Sequence, residues 1–282
     1  MKVITAHLNI KIIVISAVLL IVFAACIPTL VNYKLKQKTD VSETSANIKT
    51  ETTFEETTEK TMKDKNGNEY IPSSNITVYL TFDDGPSKNT NEILNILDTY
   101  GIGATFFVIN GKYNSYMKDI VNRGSAIALH SYSHKYPEIY SSPQAFIDDI
   151  CKIHDLVLEE TGVDTKIIRF PGGSSNTISS KYCKNIMKDL VEETEKMGYI
   201  YFDWNCENGD ADGKETSVEY QVKRATKYNK NDENIVILMH DIDICGVNTK
   251  ALKEIIEFYQ GEGANFSVIT ENSPQIHHKV NN

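Results

Sequence analysis

Positive charge and cysteine are both scarce in this chain, and glycine-rich nucleotide loops are absent. Among 282 residues, Lys and Arg total 29 against 38 Asp and Glu, a net charge of −9. Residues 71–282 alone carry about −10. A polypeptide this acidic does not neutralise phosphates, which counts against nucleic acid as a partner. Only five cysteines occur, and no two have zinc-ribbon spacing. Cys206 and Cys245 stand near two of the motifs described below, which leaves a disulfide between them open. Buried free thiols are the simpler reading, also for Cys151 and Cys183. No Gly-x-Gly-x-x-Gly follows the first strand pattern, which counts against a dinucleotide-binding sheet. There is no internal repeat.

What the chain does have, near its start, is one long apolar run. From Ile12 to Val31 twenty residues pass without a charge. At about 1.5 Å per helical residue this matches a hydrocarbon core of roughly 30 Å. Residues 12–31 are therefore expected to anchor the chain in the cell membrane as a single pass. Residues 1–11 would be cytoplasmic and the rest extracellular. Lys2 and Lys11 on one side and Lys34, Lys36 and Lys38 on the other leave the positive-inside rule undecided. The simplest topology has a short cytoplasmic N-terminus and an exported domain. A cleaved signal ending at Ala24-Ala25, or a lipoprotein-like site before Cys26, competes with this. Phe23 is bulky for the second, and the apolar run continues past both, which favours an uncleaved anchor.

Residues 32–70 form the second part. From Thr39 they are rich in Thr, Glu, Lys, Ser and Asn, with Phe54 the only aromatic before Tyr70. Such a stretch buries too little apolar surface to offset its ordering entropy and reads as a flexible linker. Residues 71–282 are left as one domain, long enough for a substantial core.

In that domain short β-rich runs alternate with helical patterns. Strands are expected at Thr77–Phe82, Ala104–Ile109, Ala126–Leu129, Lys166–Phe170, Tyr199–Asp203, Ile235–Met239 and Phe266–Ile269. Thr90 is placed to cap a helix that Gly101 closes. Ser142-Pro143 opens the longest helix, where Phe146, Ile150, Ile153 and Val157 recur at helical spacing before Gly162. Seven apolar strands separated by helices indicate an α/β fold, a parallel sheet covered by helices, either closed towards a barrel or open and doubly wound. In both, functional groups gather beyond the carboxyl ends of the strands.

Five polar motifs fall at those ends. The first strand runs into Asp83-Asp84-Gly85-Pro86, where adjacent carboxylates repel unless a cation or proton is shared. In isolation it reads equally as a solvated acidic turn. The third runs into His130-Ser131-Tyr132-Ser133-His134. Its two imidazoles share one face if the segment is helical, a spacing that suits one metal ion. His-x-x-x-His alone is more often chance, and Ser131 stands where a zincin protease needs Glu. The fourth strand ends in Arg169-Phe170-Pro171-Gly172-Gly173, whose exposed N–H groups suit a developing oxyanion. The fifth leads to Asp203-Trp204, with Asp210 six residues after the Trp, and the sixth to Leu238-Met239-His240-Asp241. Each motif is weak alone, but their shared position is not readily a coincidence. His7, His154, His277 and His278 fit no such pattern and read as structural or solvated.

Taken in order, TFDDGP, H-S-x-x-H, R-x-P, Trp with Asp six residues on, and L-x-H resemble the polysaccharide deacetylases of carbohydrate esterase family 4. The likeness spans Ile76 to Ile269. It implies a distorted seven-stranded (β/α) barrel and a divalent metal, zinc by preference or cobalt, held by Asp84, His130 and His134. It further implies Asp83 as general base oriented by Arg169, and the Gly172 amide as oxyanion donor. His240 would be the general acid, tuned by Asp210. Leu238, Trp204 and Pro171 would contact substrate, Leu238 lining the pocket for the acetyl methyl. The expected partner is a cell-wall glycan, most naturally the N-acetylglucosamine of peptidoglycan, with no obligate protein partner. Other acetylated polymers would use the same chemistry. One departure stands out: many members have Pro-Pro-Tyr where this chain has Phe170-Pro171-Gly172, so an aromatic is lost from the wall of the site.

Overall fold

The computed structural model describes residues 61–213, 216–243, 246–247 and 249–282. The expected anchor at 12–31, the linker up to residue 60 and Cys245 lie outside these. Among the described residues no helix is long and apolar enough to cross a membrane. Cys206 carries a free thiol that donates to the Ala225 carbonyl at 3.1 Å.

Strands β1 (Thr77–Asp83), β2 (Thr105–Ile109), β3 (Ala126–Ser131), β4 (Ile167–Ile168), β5 (Ile200–Tyr201), β6 (Cys206–Glu207), β7 (Asn234–His240) and β8 (Asn265–Phe266) form one parallel sheet. Helices α1 (Thr90–Tyr100), α2 (Tyr116–Asn122), α3 (Tyr136–Ile139), α4 (Pro143–Thr161), α5 (Ile186–Lys196), α6 (Val218–Ala225) and α7 (Thr249–Gly261) occupy the connections. The order β5-β4-β3-β2-β1-β7-β6 puts β1 in the interior of the sheet, paired with β7 along its whole length. Its other edge is shared: β8 takes Thr77–Val78 and β2 takes Thr81–Asp83.

The two ends of this order, β5 and β6, are consecutive in sequence, four residues apart. Ile200 and Phe202 donate to Lys166 and Ile168 beside β4 (2.9 and 3.0 Å), and Asn205 and Asn208 donate to Val236 and Leu238 of β7 (both 3.2 Å). One segment thus changes partner midway, and the sheet curls into a half-barrel. This is why the expected strand at 199–203 shrinks to two residues and a further short strand, β6, follows it. The expected final strand also shortens, because the Ile269 N–H leaves the ladder for the Thr105 hydroxyl at 2.8 Å.

Strand side chains alternate between two layers. Val78, Leu80, Phe82, Phe106, Leu129, Ile168, Ile237 and Met239 pack with the helices, including the α4 stripe Phe146, Ile150, Ile153 and Val157. Each such burial contributes about 1.5–3 kcal/mol. The opposite parity, Tyr79, Phe107, Ala128, Ile167 and Val236, joins Phe202 and Ile269 in a smaller cluster inside the curl. Continued towards the carboxyl ends, that inner parity reaches Asp83, His130, Arg169, Leu238 and His240.

Helix ends follow the sequence in part. Ser142 caps α4 by accepting from the Ala145 N–H (3.2 Å), and Gly162 ends it in the left-handed region. Gly101 closes α1 as expected, but Asn89 occupies the cap position and Thr90 is already helical. The Thr90 hydroxyl instead reaches Asp241. The last ten residues of the expected linker are described. Residues 61–70 are ordered against the domain, with Lys63 donating to the Tyr100 carbonyl (2.8 Å) and Tyr70 to the Ala264 carbonyl (2.8 Å). Met62 packs on the core. Met62 and Tyr70 supply the apolar anchors of this segment.

Candidate active site

At the end of β1, Asp83 is buried and one Oδ accepts from Arg169 Nη1 at 2.8 Å. Arg169 is fully buried, so each part of its fork needs a partner. It finds them in Phe202 O, Asp203 O and the Thr81 hydroxyl (3.0, 3.0 and 2.8 Å). Its guanidinium lies 4.0 Å from the centroid of the Phe107 ring. Asp83 is therefore set in place by a cation that is itself held by the segment closing the curl.

Asp84 follows in the left-handed region at φ 69. Its Oδ1 is buried with no hydrogen-bond partner among the described residues. It lies 3.5 Å from His130 Nε2 and 3.2 Å from His134 Nε2. His130 Nδ1 is 2.8 Å from the Arg169 carbonyl, an acceptor only, so Nδ1 carries the proton and Nε2 presents a lone pair. Burial, outweighing the pull of Asp83 and Asp84, pushes the His130 pKa down and keeps the ring neutral. An orphaned carboxylate oxygen facing two imidazole nitrogens is a donor set that fits a divalent cation.

The His pair is not on a helix. β3 ends at Ser131 and a bend follows, with His134 at φ 52. The two rings meet face to face, centroids 5.2 Å apart, because Asp149 of α4 pins the bend. Its carboxylate accepts from the Ser131 hydroxyl (2.6 Å), Tyr132 N–H (2.7 Å) and Ser133 N–H (3.0 Å). Ser131 Oγ in turn accepts from the His134 N–H at 2.8 Å. Sequence reasoning missed Asp149. The signal was an acid inside the apolar stripe of α4, three residues after Phe146. Asp241 was missed too: it accepts from the Ser87 (2.5 Å) and Thr90 (2.6 Å) hydroxyls. A Cβ on Gly85 would come within 2.5 Å of its carboxylate, so only glycine fits that turn.

His240 ends β7 directly beside Asp83 in register. Asp210, buried, accepts from its ring Nδ1 and from its backbone N–H, both at 2.7 Å. Burial alone would push this imidazole down, but the Asp210 hydrogen bond and charge, with Asp83 and Asp84 behind them, raise it to about 9. Leu238 lies one inner position below. Pro171 is buried, its carbonyl taken by the Tyr140 hydroxyl (2.7 Å), while Gly172 is exposed at φ 79. Trp204 stands farther out, 5.7 Å from the Arg169 guanidinium and edge-on to His278. There it walls an open groove of about 720 Å³ with Tyr220, Lys223 and Lys227. His277 stacks on Tyr201 at 3.8 Å, a structural role.

The geometry has close counterparts. The chain matches the catalytic domain of a peptidoglycan N-acetylglucosamine deacetylase from Eubacterium rectale at 41% identity and a TM-score of 0.71, covering 76% of this chain and 98% of that one. It belongs to the polysaccharide deacetylase family. Residues 71–191 match the family model for polysaccharide deacetylase. A putative polysaccharide deacetylase of Bacillus subtilis is 29% identical over 208 residues, 71% of this chain and 70% of that protein. A peptidoglycan N-acetylglucosamine deacetylase of Bacillus cereus is 28% identical over 202 residues, 69% and 70% of the two. The family's deacetylases are metal-dependent hydrolases of N-acetyl groups, and the curled parallel sheet is the fold this deacetylase shares with them.

Proposed function

We propose that this deacetylase removes the acetyl group from N-acetylglucosamine residues of peptidoglycan, using zinc held by Asp84, His130 and His134. The observation that carries the reading is the orphaned Asp84 oxygen between two imidazole nitrogens, flanked by the Arg169-held Asp83 and by His240. The substrate rests on relatives whose names specify that sugar.

When bound, a zinc ion supplies a Lewis acid that lowers the pKa of water towards about 7 and polarises the acetyl carbonyl. Asp83, held at 2.8 Å by Arg169, takes a proton from the attacking water. The Gly172 N–H donates to the acetyl oxygen as negative charge develops there. His240, protonated across neutral pH through Asp210, gives its proton to the sugar nitrogen. The C–N bond breaks, the water oxygen stays with acetate, and the sugar leaves as the free amine. Leu238, on the inner face below His240, would meet the acetyl methyl. Trp204 would border the glycan, whereas Pro171, buried and bonded to the Tyr140 hydroxyl, would shape the turn without the contact expected of it.

Residues 12–31 would anchor the chain in the cell membrane, with the domain extracellular on a linker that ends near residue 60. Protease accessibility on intact cells tests that topology: a domain shielded from added protease would refute it. The enzymatic test is acetate release by the purified chain from N-acetylated peptidoglycan and from an N-acetylglucosamine oligomer, with chelator and with added zinc. Zinc-restored release, absent in Asp83→Asn, supports the reading. No release from either substrate by metal-loaded protein would move the assignment to another acetylated polymer.

A further inference from the structure

The turn Phe170–Gly173 lacks the side chain that would fill the space beside Gly172, yet that space is taken. A Cβ on Gly172 would lie 2.8 Å from the hydroxyl of Tyr136. Tyr136 opens α3, two residues after His134. Its ring stands edge-on to the His134 ring (centroids 5.6 Å) and perpendicular to the Tyr140 ring (5.4 Å). Tyr140 also bonds the Pro171 carbonyl at 2.7 Å, so one aromatic fixes both the Tyr136 ring and the Gly172 turn.

Several buried or half-buried tyrosines spend their hydroxyls within the protein, whereas Tyr79, Tyr199 and Tyr201, away from Gly172, show no such bond among the described residues. Tyr70, Tyr100, Tyr140 and Tyr259 bond Ala264, Glu257, Pro171 and Ala225 respectively. Tyr136, half-buried, has no hydrogen-bond partner for its hydroxyl among the described residues. A phenol held by two rings, its ring against His134 and its uncommitted O–H in the space beside Gly172, is a preorganised donor at the edge of the site.

We propose that Tyr136 is a further catalytic residue, whose O–H donates to the acetyl oxygen alongside the Gly172 N–H as that oxygen becomes anionic. This rests on the deacetylase reading above. It gives the glycine at 172 a second purpose: besides permitting positive φ, it leaves room for the phenol.

The test is Tyr136→Phe in the full chain, which keeps both ring contacts and removes only the donor. Steady-state kinetics are measured on the N-acetylglucosamine oligomer, and bound zinc by elemental analysis. We expect kcat to fall on the order of 10²-fold, as for loss of one oxyanion donor, with KM within about twofold and zinc content unchanged. An unchanged kcat overturns the proposal, as does a loss confined to KM, which would make the phenol a sugar contact. Zinc lost in step with activity overturns it as well, since Tyr136 would then only prop His134. Metal-loaded wild-type chain that releases no acetate from the oligomer or from peptidoglycan overturns the substrate reading, and this proposal with it. An active wild type with an equally active Tyr136→Phe overturns this proposal alone.

Discussion

The two sides of the site differ in how completely their polar atoms are satisfied. On one side Asp83, Arg169 and His130 are almost wholly enclosed, and the Arg169 fork is spent on Asp83, Thr81, Phe202 and Asp203. On the other, Asp84 and His134 sit at positive φ and are partly exposed, and the buried Asp84 Oδ1 has no hydrogen bond among the described residues. The satisfied side is part of the inner face of the sheet and is positioned by folding. The unsatisfied side keeps bonding capacity in reserve, which is what a ligand-binding wall requires.

That contrast can be broken from either side. The largest expected effect is on chemistry: Asp83→Asn should lower kcat about 10³–10⁴-fold while zinc content stays at the wild-type level. A variant within tenfold of wild type would remove Asp83 from its role. Chelation should be equally severe but reversible by zinc, and His130→Ala should lose zinc and activity together. On the satisfied side, Arg169→Met leaves a buried carboxylate without its cation and should cost about 3–5 kcal/mol of stability. Denaturant unfolding measures this, and a loss below about 1 kcal/mol would show that Asp83 has another stabiliser.

Smaller changes sharpen the comparison. Asp149→Ala should loosen the bend carrying His134 and weaken zinc binding about 10–100-fold, with the Asp83 side intact. Competition titration against a chelator reads this out directly. The gentlest probe is pH. His240 must be protonated to act, so the rate should hold through neutrality and fall as pH rises through about 9. The His240–Asp210 pairing likewise contributes its full stability below the ordinary imidazole pKa and loses it through the same upper range. In Asp210→Asn the alkaline limb should move towards the ordinary value; a limb that stays in place would point to another group.

The parts of the site legible in the sequence are those fixed by local chain geometry. Asp83-Asp84-Gly85-Pro86, His130 and His134, Arg169 and His240 sit at or just beyond strand ends, where a period of two and a turn residue mark the change from core to rim. Asp149, Asp241 and Tyr136 were not legible, because each acts on a turn from a separate element, and no spacing within a motif encodes that meeting. The sheet was readable in its long strands β1, β2, β3 and β7. It was not readable at β5 and β6, since a strand that swaps partners after two residues has no period. The helical reading of His130–His134 came from spacing alone; the Asp149 carboxylate and a left-handed residue produce the same convergence without a helix.

The segment from 200 to 208 also orders events in time. Two of the carbonyls that hold Arg169 belong to it, at Phe202 and Asp203, and Asp203 is gripped by the end of the chain, where its N–H meets the Ile276 carbonyl (2.8 Å) and its carboxylate the His278 N–H (2.8 Å). Asp83, the proposed general base, is therefore not set until nearly two hundred later residues have been made and latched. A half-finished chain can expose the acidic turn and the His pair. It cannot yet aim them, so the hydrolase is switched on by completing its own hoop.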